Sequence, residues 1–151
     1  MAPLPAVYAS PLSLSIPPNT PTLLQLPDED FDQGGAGQSS QMHATTTNNS
    51  HLTAPQDGIY QIDAQVAWSP NTTGVREAFL IKNANGDCTS ANTDAFDRVN
   101  ATEFSSAYNH LGTLLALNQG DYVEGCVNQT SGTSRSISSY TFVAMHYVSP
   151  R

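Results

Sequence analysis

With 151 residues, 13 acidic and 5 basic side chains and a net charge of −8, the chain is long enough for one domain with a full core. It is too poor in cations to neutralise nucleic-acid phosphates or an anionic bilayer: Lys82 is the only lysine, and Arg76, Arg98, Arg135 and Arg151 are scattered. No run of 18 apolar residues is present, and Ser, Thr, Asn and Gln carry most of the polarity, a composition that suits a β-rich protein with a hydroxyl and amide surface.

The first segment carries Pro3, Pro5, Pro11, Pro17, Pro18 and Pro21. Proline has no N–H for a sheet ladder and favours extended, solvated backbone, so residues 1–19 are expected to form an arm. The arm would lie on its own domain (residues 20–151) or on a neighbouring subunit, with L-S-L-S-I at 12–16 pairing briefly at an edge. The start lacks a basic region and a continuous apolar core, so it does not read as a secretory signal; synthesis and retention in a cytoplasm, or prior removal of a signal, is expected.

Residues 22–26 read as a short strand ended by Pro27. Asp28, Glu29, Asp30 and Asp32 then surround Phe31. One reading is an acidic loop anchored by a buried Phe31. The other is a calcium site on Asp28, Asp30 and Asp32, since hard cations want several carboxylates, although the D-x-[DN]-x-[DN]-G loop is missing. Gly34, Gly35 and Gly37 form a turn and not a phosphate loop, because no lysine follows. A weak strand is expected over 41–45.

The clearest signal is residues 52–68. Pro55, Asp57 and Gly58 make a turn, after which Tyr60, Ile62, Ala64, Val66 and Trp68 alternate with Gln61, Asp63, Gln65 and Ala67. Period two over nine residues predicts a strand with one buried face, the centre of an antiparallel sheet. A hairpin-like turn over 69–74 leads to a strand over 75–82, and N-A-N-G at 83–86 is a strong turn. Residues 87–101 are expected to be mostly loop. Residues 102–117 read as two β-segments with Leu111, Thr113, Leu115 and Leu117 on one face. A turn at 118–121, a strand over 122–128 and a turn at 131–134 follow. The final strand, 136–148, has a possible break near Ser138 and Ser139 and is apolar on both faces: Tyr140, Phe142, Ala144, His146 and Val148 on one, Ile137, Thr141, Val143, Met145 and Tyr147 on the other. In a two-sheet sandwich one face meets the core, so the other is expected to meet a partner.

Cys88 and Cys126 are open between two readings. As free thiols, the favoured one, Cys126 is a small buried hydrophobe and Cys88 lies in a loop; as a disulfide they would contribute about 4 kcal/mol by closing a long loop.

Short strands separated by turns, without helical periodicity, predict an all-β antiparallel two-sheet sandwich or jelly roll. Three motifs resemble one family in order and spacing. L-T-A-P-Q-D-G-I-Y-Q-I-D-A-Q-V resembles the "F-x-A-P-x-x-G-x-Y-x-F" strand of complement C1q and tumour necrosis factor-like jelly rolls. L-L-A-L-N-Q-G-D-Y-V-E resembles their "L-x-L-x-x-G-D-x-V" hairpin, and F-L-I-K-N-A-N-G their "x-L-x-x-N-G" turn. The resemblance covers about residues 20–150 and implies a ten-stranded jelly roll that forms a homotrimer around an apolar axis and binds or builds rather than catalyses. It implies trimer contacts from Tyr60, Tyr140, Phe142, Met145 and Tyr147. Two departures stand out: no collagen-like repeat precedes the domain, and Ala144 replaces the Gly of the closing "F-x-G-x-L", which leaves His146 a candidate axis residue.

His43, His51, His110 and His146 show no H-E-x-x-H spacing, and neither C-x-x-C nor G-x-S-x-G occurs, so no enzyme is expected. The N-x-[ST] sequences at Asn48, Asn71, Asn100 and Asn128 read as chance matches in a chain rich in these residues. With no collagen stalk and almost no lysine, a bacteriophage virion version of the family is expected. Its leading function is capsid decoration, a trimeric staple whose arm grips the major capsid protein or other virion proteins. The alternatives are a receptor-binding head of a tail fibre or spike that holds a host glycan or protein, or a calcium-dependent adhesion or secreted binding module.

Overall fold

The computed structural model describes residues 4–34, 41–89, 93–102 and 106–151. The described residues form twelve strands: β1 (Ala6–Ser10), β2 (Leu14–Ile16), β3 (Thr22–Leu23), β4 (Asp28–Gln33), β5 (Leu52–Thr53), β6 (Gly58–Trp68), β7 (Asn71–Lys82), β8 (Ala95–Thr102), β9 (Ala107–Leu117), β10 (Tyr122–Gln129), β11 (Arg135–Ile137) and β12 (Phe142–Ser149). They make two antiparallel sheets. The seven-stranded sheet runs β2-β11-β6-β12-β1-β4, with β9 on the other side of β6; the five-stranded sheet runs β3-β10-β7-β8, with β5 also on β10.

The alternation in β6 does what its period dictates. Tyr60, Ile62 and Trp68 are fully buried between the sheets, while Gln61, Asp63 and Gln65 face outward and are half-buried. Gly58 opens the strand because a Cβ there would lie 2.3 Å from Tyr147 Cε2, and Tyr147 in turn packs edge-on against Tyr60 at 5.5 Å. At the other end Trp68 donates from Nε1 to Asn109 Oδ1 at 2.8 Å, and the buried Arg76 guanidinium sits 5.7 Å over its ring. Val7, Ile16, Leu24, Leu80, Val127, Val143 and Met145 complete the main core. A second cluster of Phe79, Ile81, Cys88 and Cys126 lies on the far side of the five-stranded sheet.

Several expectations change. The proline-rich segment is not an arm outside the domain: β1 is inserted between β12 and β4, β2 pairs β11, and Val7, Ala9 and Ile16 are core residues. The prolines bracket these strands instead of interrupting them, and the Pro5 carbonyl accepts the Tyr147 N–H at 2.9 Å. Residues 28–33 are an edge strand and not a loop, and Phe31 is 45 % exposed rather than buried. Acidic side chains on an edge deter pairing with another chain. Residues 41–45 form no strand. The turn expected at 69–74 shrinks to Ser69 and Pro70, β8 is longer than expected, and the described part of 102–117 is one long strand from Ala107; the last strand breaks at 138–141, where Ser138 and Ser139 are expected to interrupt it. Gly35 and Gly37 lie outside the described residues. Cys88 and Cys126 are bridged rather than free.

The turn before β10 is held by one carboxylate. Asp121 accepts from Lys82 Nζ, Asn83 Nδ2 and the Asn118 N–H, each at 2.8 Å. Burial alone would raise its pKa, but these bonds and the charge of Lys82 outweigh that and hold it at about 2, below the ordinary 3.8. The folded value lies below the unfolded one, so the stabilisation is present above pH 3.8 and is lost as the pH falls through about 2. Asp121→Asn should therefore cost about 1–2 kcal/mol at pH 7, with solvent screening allowed for. Urea titrations of parent and variant across this range should converge near pH 2; a gap that persists there would assign the loss to something other than the charge.

Candidate interaction surfaces

The outer face of the seven-stranded sheet is built by register. One row across the strands reads Phe31, Tyr8, Ala144, Asp63, Gly112. The rows beside it read Ala6, His146, Gln61, Leu114 and Phe142, Gln65, His110. Phe31, Tyr8 and Phe142 form an aromatic band: Tyr8 stacks on Phe142 with centroids 4.8 Å apart and meets Phe31 at 6.2 Å. Burial pushes the Tyr8 phenol up, and the charge of Asp30 adds to it. The middle of the face is low, because Ala144 and Gly112 sit either side of Asp63. Gln61 Nε2 donates to Asp63 Oδ1 at 2.9 Å, and a Cβ at position 112 would come within 3.2 Å of that oxygen. Leu114 is 59 % exposed and Tyr140 70 %. The aromatic band, with Leu114 and Tyr140 exposed beyond the polar centre, makes this face a candidate interaction surface.

The structure divides the five residues expected at the trimer contact. Tyr60 and Met145 are fully buried inside their own chain, on the core side of β6 and β12, so they are removed from the contact set. Tyr147 also points inward, half-buried against Tyr60. Phe142 and Tyr140 face outward, as does His146. Sequence reading missed Tyr8, Phe31, Gly112 and Leu114; the alternation of Tyr108, His110, Gly112 and Leu114 with Asn109, Leu111 and Thr113 was the signal available for β9.

The acidic segment is spent on structure. Asp32 accepts the Met42 and His43 N–H groups on separate oxygens at 3.0 and 2.9 Å. Glu29 Oε2 lies 3.0 Å from His43 Nδ1, and His43 Nε2 lies 3.0 Å from the Asn49 carbonyl. Asp28, Asp30 and Asp32 do not converge, and among the described residues no group of three His, Cys, Asp or Glu side chains could hold a metal.

Ser50, His51 and Glu124 meet near the start of β10. Ser50 Oγ donates to Glu124 Oε1 at 2.8 Å, and His51 Nε2 reaches the same oxygen at 3.2 Å. Serine and histidine thus share the carboxylate instead of bonding each other, which is the wrong order for a nucleophile activated by a base. His51 stacks on Tyr122 at 3.8 Å, and Gly86 N donates to Glu124 Oε2 at 3.1 Å, so the trio ties the 83–86 turn to residues 50–51.

No family model matches the sequence, and no curated protein matches it. Among solved structures the chain is similar to murine APRIL at pH 5.0, with 13 % identity and a TM-score of 0.66 over 97 % of this chain and 100 % of that one. It is similar to murine APRIL at pH 8.5, with 12 % identity and a TM-score of 0.61 over 98 % and 100 % of the two chains. Eiger TNF from S. frugiperda aligns with 15 % identity and a TM-score of 0.58 over 99 % of this chain and 95 % of that one. The likeness shows the fold: a C1q/tumour necrosis factor-like jelly roll.

Proposed function

We propose that the protein is a non-enzymatic subunit of a homotrimer that packs the outer face of its seven-stranded sheet around a three-fold axis and presents its five-stranded sheet outward on a virion surface. The observation that carries this reading is the outward aromatic band of Phe31, Tyr8 and Phe142 beside Ala144, with Phe31 45 % exposed and Leu114 59 % exposed on the same sheet face. The resemblance to C1q and tumour necrosis factor-like jelly rolls supports it, because that resemblance implies trimers built around an apolar three-fold axis. The capsid-decorating form of the reading loses its staple, since β1 and β2 belong to the chain's own sheet; contacts to a capsid protein would fall to loops instead. The receptor-binding form keeps its surface, the outward sheet and its loops.

Light scattering on the purified chain tests the assembly. A mass near three times 16.1 kDa is expected, and a monomer would overturn the proposal. Ala144→Arg places a long cation at the low centre of the face, and the expected result is a monomer with an unchanged far-ultraviolet circular dichroism spectrum. A trimer that survives this substitution would move the interface elsewhere.

A further inference from the structure

The five-stranded sheet carries two adjacent rows of opposite chemistry on its outward face. Phe96, Phe79 and Cys126 lie side by side on β8, β7 and β10; two residues along each strand, Arg98, Glu77 and Asn128 form the next row. The apolar row is an aromatic floor with one open ring: Phe79 is buried, Phe96 is 51 % exposed, and their centroids are 5.1 Å apart. In the polar row Arg98 donates from Nε to Glu77 Oε1 at 2.8 Å and also from Nη2, while Asn128 Nδ2 donates to Glu77 Oε2 at 2.8 Å. Asn128 Oδ1 is buried and has no hydrogen-bond partner among the described residues. The Cys88–Cys126 bridge holds the loop after β7 on the sheet, so that Cys88 and Thr89 wall one side of a cleft of about 520 Å³ and Pro21 closes the other.

We propose that this cleft binds one pyranose ring of a neutral glycan. A pyranose has a C–H face that stacks on an aromatic ring and an edge of hydroxyls that donate and accept together. Phe96 offers the open ring, Arg98 further N–H donors beyond the two bonded to Glu77, and the Glu77 carboxylate the acceptor. An apolar peptide side chain in the same place would cover an ion pair with nothing to bond it. The Arg98–Glu77 pair makes the polar row nearly neutral, and a chain of net charge −8 disfavours acidic sugars. All the binding side chains except those of the wall stand on paired strands, so the site is formed before the ligand arrives. The inference gives the receptor-binding form of the proposed function its ligand class. It does not need the trimer, because the cleft lies on the sheet opposite the proposed packing face, and binding is measured whatever the mass.

Saturation-transfer NMR on the full chain tests it with methyl β-galactopyranoside, methyl α-mannopyranoside and N-acetylglucosamine, set beside N-acetylneuraminic acid and a blocked phenylalanine tetrapeptide. Transfer to the ring C–H protons of at least one neutral sugar is expected. Phe96→Ala should weaken that binding about tenfold, and Phe96→Trp should restore it. The proposal is overturned by no transfer to any neutral sugar, by transfer that Phe96→Ala leaves unchanged, or by preferential binding of the acidic sugar or the peptide.

Discussion

Deletion of residues 1–19 is expected to yield a chain that does not fold. The deletion removes β1 from between β12 and β4, and so strands β4 from its sheet. It also removes β2, whose loss leaves β11 with only one paired residue on β6. Val7 and Ile16 are at most 1 % exposed, and their burial contributes roughly 1.5–3 kcal/mol each. The stack of Tyr8 on Phe142 goes with them, as does the bond from Gln129 Nε2 to the Ile16 carbonyl at 3.1 Å. Domains of this size have about 5–15 kcal/mol to lose, and these two side chains alone take roughly 3–6 kcal/mol of it before the pairings of β1, β2 and β4 are counted. Circular dichroism and denaturant titration of the shortened chain provide the check: a cooperative transition within about 2 kcal/mol of the parent would show that these strands are dispensable.

Replacement of both Cys88 and Cys126 by Ala should cost about 4 kcal/mol, since the bridge closes a sequence separation of 38. For a chain of 151 residues that is a fall of roughly 8–16 °C in Tm. Ala is the right substituent, because Cys126 is fully buried among Phe79 and Ile81 and a hydroxyl there would add its own cost. A Tm within 2 °C of the parent would remove the bridge from the stability of the fold. Thiol labelling of the denatured, unreduced chain gives a second check, with no label expected at either position. Such a bridge persists only where the surroundings are oxidising.

What the sequence makes legible is what depends on local period and turn chemistry. The β6 alternation, the jelly-roll class and the N-A-N-G turn all read correctly, the turn because Asn83, Asn85 and Gly86 accept positive φ (50°, 52° and 78°). What escapes is what depends on pairing. The edge pairing of 12–16 reads correctly as β2, but proline content hid β1, where Pro5 and Pro11 merely flank the strand and no N–H is required. β12 is apolar on both faces, so its period alone could not say that Met145 and Tyr147 meet the core while Phe142 faces out; the register with Ile62 and Tyr60 decides it. Tyr8 and Phe31 join Phe142 only across three strands. The spacing of Cys88 and Cys126 says nothing until β7 and β10 pair and the turn between 83 and 86 brings the loop back.

Since β12 lies between β6 and β1, the last strand to be translated is the one that joins the first to the rest of its sheet. While synthesis is under way, β1 has only β4 to pair with, and β6 keeps one edge bare along the register that β12 will occupy. Completion is an insertion between two waiting edges, which no nascent chain can perform before its C-terminal strand has left the ribosome. Pairing the two ends of the chain is slow in sheet proteins. A ribosome stalled short of Phe142 would hold a product with two open edges, the state most prone to capture a neighbouring nascent chain.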